Sequence, residues 1–145
     1  MMRALILALL CTPALAVARG QAADAVRSQG YVVYYSAVTG NTIPPSVALR
    51  HGIPDRRDVL VVNISVIKGP DAAQGVAIPA RVTGKAVTLL GRTLDMHFHE
   101  VRERDGMVYY LALVHAKPPD TLRLDVRVTP PGARTIPVQF DQDVP

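Results

Sequence analysis

From Tyr31 to the end of the chain, apolar residues recur mostly at every second position, the period of a strand with one face in a core and one in water. The clearest case is "TLRLDVRVT". Leu122, Leu124, Val126 and Val128 fall on one side, and Arg123, Asp125 and Arg127 on the other. "YVVYYSAV" (31–38) is rich in β-branched and aromatic residues and predicts the first strand. "DVLVVNISVIKG" is apolar on both faces for part of its length, which predicts a central strand. Asn63 and Ser65 inside it are therefore expected to be hydrogen-bonded within the fold. "VAIPARVTGKAVTLLG" is one long bent strand or two short ones broken near Gly84. "TLDMHFHEVRE" and "MVYYLALVH" predict a hairpin about a two-residue Asp105-Gly106 turn. "RTIPVQFDQ" closes the chain with Ile136, Val138 and Phe140 inward, and Pro137 outward marks an edge strand. The one helical piece is "SVALRHG", opened by Pro44 and Pro45 and stopped by Gly52.

About seven short strands separated by turns predict an all-β domain, a single antiparallel β-sandwich of the immunoglobulin-like kind with one short helix after the first strand. A small closed barrel is the alternative. The start of the chain stands apart from this pattern. Arg3, the run "ALILALL" and the small residues Ala14, Ala16 and Ala18 predict a secretory signal peptide over residues 1–18, with cleavage as late as residue 22. The run is too short to span a bilayer. Residues 19–145 are then one exported domain, periplasmic in location, with no transmembrane segment. Cys11, the sole cysteine, lies in the leader behind Leu10 rather than a small residue, so no lipid anchor is expected. The mature chain has no disulfide available and must be stable through its core alone.

Charge changes the picture little. The formal net charge is +4, and Arg3 is the only basic residue in the leader. Arginines alternate with acids, as in "VRERD", and no basic stripe is present, which argues against nucleic acid as a partner. Asp95, His97 and His99 are spaced two apart in "LDMHFHE". On a strand they share one outward face and make a candidate site for zinc or copper. A plain solvated face is the simpler alternative. Val101 is out of phase with Leu94, Met96 and Phe98, which predicts a bulge near His99. Met96 and Met107 fall on inward sets and are expected to fill the core. Each tyrosine pair, Tyr34-Tyr35 and Tyr109-Tyr110, sends one ring to each face. The serines Ser46 and Ser65 have no nearby histidine and acid, so no catalytic constellation stands out. The longest stretch without a strand, "TGNTIPPSVALRHGIPDRRD", offers Asn41 and Thr42 as a candidate binding loop.

The blocks "YVVYYSAVTGNTIPPSVALRHGI", "VVNISVIKG" and "HEVRERDGMVYYLA", in this order, resemble the proteobacterial family called domain of unknown function 4426. The resemblance implies an exported all-β domain with no assigned activity and no catalytic residue or cofactor to carry over. The expectation is a non-catalytic binding or accessory module for an envelope protein or component, working through the Pro137 edge or the Asn41 loop. Metal binding at Asp95, His97 and His99 is the alternative.

Overall fold

The computed structural model describes residues 24–145, and the predicted leader lies outside them. Ten strands form two antiparallel sheets, more than the predicted number. The larger sheet runs β1 (Asp24–Ser28), β2 (Tyr31–Thr39), β3 (Val59–Lys68), β8 (Val108–His115) and β7 (His99–Arg102). β4 (Val76–Ala77) pairs the far end of β3, on the side where β8 stops. The smaller sheet runs β10 (Ile136–Val144), β9 (Asp120–Thr129), β5 (Arg81–Val87) and β6 (Thr93–Met96). The strands form a sandwich and no closed barrel. Among the described residues, no helix is long and apolar enough to cross a membrane.

Period two explains the core. Leu122, Leu124, Val126 and Val128 are fully buried, and they meet Val33, Leu60, Val62, Ile64 and Val66 of the other sheet. Ile136 and Val138 join them from β10, which lies at a sheet edge as its proline predicts. Tyr35 turns inward and stacks on Phe140 at 4.6 Å between ring centres, while Tyr34 turns outward and its hydroxyl accepts from the Ala72 amide. Apolar burial on this scale is the main stabilising term available to a chain without disulfides.

The outer face of the larger sheet is covered too. Helix α1 (Pro45–His51) ends at Gly52 in the left-handed conformation, as predicted. It presses Ala48, with Ile53 just beyond it, onto Val61 and Leu111. This second small core explains why β3 is apolar on both faces.

Five expectations need correction. β1 precedes the predicted first strand, so α1 follows the second. The break in "VAIPARVTGKAV" falls at 78–80 around Pro79, not at Gly84, because Pro79 cannot donate to a ladder. The Asp105-Gly106 turn is a three-residue loop: the Glu103 amide donates to Met107 O, the Gly106 amide to Glu103 O, and Gly106 has φ 88°. That extra residue leaves Met107 exposed, while Met96 is buried. Lastly, Asn63 Oδ1 is buried and has no hydrogen-bond partner among the described residues. Its neighbours across the sheet are Ser36 and Leu111, and the leucine has no donor to offer.

Candidate functional site

The strand face that would gather Asp95, His97 and His99 does not form. Asp95 belongs to β6 and lies opposite Lys85 in the smaller sheet. His99 begins β7 and lies opposite Leu111 in the larger one. The chain crosses from sheet to sheet at His97 and Phe98, just before the position near His99 where a bulge was expected. Cross-strand neighbours share a face. Asp95 therefore points out from the smaller sheet, and His99 from the helix-covered side of the larger one. The two side chains are on opposite outsides of the sandwich, with His97 exposed at the crossing. Among the described residues, no three His, Cys, Asp or Glu side chains stand close enough to share a metal ion. His115 is exposed at the end of β8.

The predicted loop has a different outcome. After β2 the chain makes one 3-10 turn over Gly40–Thr42. Thr42 donates its hydroxyl to Thr39 O at 2.7 Å, and the Asn41 amide donates to Arg56 O at 3.2 Å. These bonds fold the 40–58 segment back on itself and fix where Thr42 sits. Arg56 clamps Asp58 with its guanidinium, and that hydrogen bond holds the Asp58 carboxyl below its ordinary range.

Thr42 and Ile43, with Val38 and Thr39, form one wall of a cleft of about 630 Å³. Gln142, Asp143 and Pro145, at the end of β10, form the other. A second cleft of about 260 Å³ lies beside it, between Asp24, Tyr35 and Ser36 on one side and Phe140 and Asp141 on the other. Gln142 lines both, so together they make one groove along the side of the sandwich. The predicted loop and the predicted edge strand meet here. Asn41 is exposed beside the groove and does not line it.

The groove is acidic. Among the described residues, Asp24, Asp141 and Asp143 line it, and no lysine or arginine does. Arg123 reaches Asp141 at 3.3 Å from outside, and Thr121 donates to Asp143 at 2.7 Å. Backbone groups are available as well. β1 pairs β2 only as far as Tyr35, and among the described residues no strand covers Ser36–Thr39 on that side. The outer edge of β10 is likewise uncovered among the described residues.

A third cluster escaped the sequence. His51 at the end of α1, Glu103 in the β7–β8 turn and Tyr109 on β8 come together, though 58 residues separate the first from the last. Tyr109 donates to Glu103 Oε1 at 2.7 Å, and its hydroxyl lies 3.2 Å from His51 Nε2. Burial first, then the Glu103 carboxylate, pushes the Tyr109 phenol up from 10.0 to about 12. A phenol held this way keeps its proton and ties the helix to the turn. Its contribution to stability is complete below pH 10 and is lost as pH rises toward 12, because the unfolded phenol ionises first. Absorbance titration of the phenolates should show a late step near pH 12 that disappears in Tyr109→Phe. A titration curve unchanged by the substitution would refute this assignment.

Comparison with known proteins reaches the family and the fold. The profile of DUF4426, a domain of unknown function, matches residues 26–144. Among solved structures, a DUF4426 family protein from Pseudomonas aeruginosa PAO1 is similar. It has a TM-score of 0.71 at 24% identity, over 86% of this chain and 96% of that one. No curated protein matches the chain.

Proposed function

The chain belongs to the DUF4426 family, and on that premise we propose that it is an exported, non-catalytic binding module of the periplasm. Its partner is a protein that presents an extended, basic segment. The observation that carries this reading is the acidic groove between the Thr42 loop and the end of β10. Asp24 and Asp143, which are in no ion pair among the described residues, favour a cationic ligand, while Asp141 is shared with Arg123, and Val38 and Ile43 add apolar contact. Among the described residues, Ser36–Thr39 has no strand on its outer side, and its backbone there would offer main-chain hydrogen bonds to an added strand. Pro137, which blocks pairing locally, lies toward the other end of β10 and leaves the groove end free. No cofactor enters this reading.

Site-directed photo-crosslinking in intact cells tests it. A photoreactive side chain at Thr42 or Gln142 should yield the same discrete protein adduct. One at Arg104, in the turn at the opposite end of the sandwich, should not. Reversing the groove charge with Asp141→Lys/Asp143→Lys should abolish the adduct. Equal labelling from all three positions, or an adduct indifferent to the charge reversal, would defeat the proposal.

A further inference from the structure

Two hairpin loops in this protein share one geometry. In the β5–β6 loop, the Thr88 amide donates to Arg92 O and the Gly91 amide to Thr88 O, with Gly91 at φ 79°. The β7–β8 loop repeats this with Glu103, Met107 and Gly106. The residues at the tips differ. The second loop presents Arg104 and Asp105, as expected for a turn in water. The first presents Leu89 and Leu90, which are 74% and 98% exposed. The turn itself therefore does not require leucine. The tip is also held firmly. Leu89 donates its amide to Asp120 at 3.1 Å, and Arg92 donates its amide to the Thr88 hydroxyl at 3.0 Å. Folding places two adjacent leucines in water on a fixed support.

Cations stand beside them. Leu89, Leu90, Arg92, Lys117 and Pro119 line one cleft of about 490 Å³ with Asp120. Asp120 accepts hydrogen bonds from the Leu89 and Thr121 amides. Among the described residues, neither Arg92 nor Lys117 is in an ion pair. An apolar tip that protrudes, with free cations set beside it, matches a surface that is apolar inside and anionic at its rim. We propose that this end of the sandwich docks on an anionic phospholipid bilayer. Leu89 and Leu90 enter the boundary between headgroups and acyl chains, and Arg92 and Lys117 stay at the level of the phosphates. Two leucines and two cations give weak, reversible attachment. The tip adjoins the groove, since Leu89 lines a cleft with Asp141, but Asp141 is paired with Arg123, and the unpaired Arg92 and Lys117 outnumber Asp120 beside the leucines.

The test is co-sedimentation of the purified protein with vesicles of phosphatidylglycerol and phosphatidylethanolamine, beside vesicles of phosphatidylcholine alone. The protein should partition onto the anionic vesicles, and salt should weaken it. Leu89→Ser/Leu90→Ser should lower partitioning about tenfold or more. Arg92→Gln/Lys117→Gln should lower it less and remove the salt dependence. Both pairs are at the surface, so unchanged melting curves will verify that the variants fold. The chain has no tryptophan, so Leu90→Trp supplies a clean reporter. Its emission should shift to the blue with anionic vesicles. No partitioning of the wild type, partitioning that ignores vesicle charge, or a serine variant that binds as well as wild type would each overturn the proposal. So would a Leu90→Trp signal that responds only to a soluble protein.

Discussion

Replacing Leu124 by alanine should lower the free energy of unfolding by about 2–5 kcal/mol. Leu124 is fully buried in β9, at the centre of the smaller sheet, between Ala86 and Phe140 on the neighbouring strands. Truncation forfeits the transfer of the lost atoms from water. It also leaves a cavity that two sheets fixed by their ladders cannot easily close. With no disulfide in residues 24–145, nothing covalent limits the damage. A domain of this kind is stable by only about 5–15 kcal/mol, so the variant spends much of that margin. The midpoint of urea unfolding should fall at unchanged slope. Arg123→Ala, one residue away, is the control. Its side chain is outward and its ion pair with Asp141 is largely in water, so its effect should be much smaller. Equal losses from the two substitutions would mean that β9 does not alternate as described.

The same alternation explains what the sequence could and could not tell. β9 is legible because each inward residue is apolar and each outward one from Arg123 to Arg127 is charged. The helix is legible because Pro45 and Gly52 punctuate it. β1 is not, since "DAVRS" is short and weakly patterned, and only its pairing with β2 makes it a strand. The histidine segment misleads for a specific reason. Leu94, Met96 and Phe98 keep one inward phase through the crossing, because the inner faces of both sheets look onto a single core. A strand can leave one sheet and join the other without breaking its pattern. Asp95 and His99 remain outward throughout, but outward from different sheets. The only sign was Val101, whose slipped phase records its place in the second core beneath the helix-side surface. The groove was half legible. Composition marked the Thr42 loop and Pro137 marked β10 as an edge. Their meeting depends on two sheets packing face to face, which local pattern does not encode. Leu89 and Leu90 were absorbed into a strand, since a turn carried by leucines has no turn signal except Gly91.

Gly40→Ala should be among the most disruptive small substitutions, and its effect should reach the groove. Gly40 is buried, and a β-carbon there would lie 2.2 Å from Pro54 O and 3.2 Å from Arg56 O. Both are backbone oxygens, so no side chain can swing aside. The methyl group can be admitted only if the returning arm of the 40–58 segment moves away. Overpacking of this kind costs about 1–3 kcal/mol, and backbone obstacles favour the upper end. Gly91→Ala makes a useful contrast. Its position has φ 79° but open space around it, so its penalty is conformational strain of about 1 kcal/mol, confined to a surface loop. At Gly40 the displaced arm carries the Arg56 carbonyl that holds the Asn41 amide, and with it the placement of Thr42 and Ile43. The alanine variant should therefore unfold at lower urea and exchange its Asn41 amide faster in native conditions. It should also lose the Thr42 crosslink while Arg104 behaves as before. A variant that keeps wild-type stability and a protected Asn41 amide would show that the two arms are not in contact. The Thr42 wall of the groove would then have no fixed support.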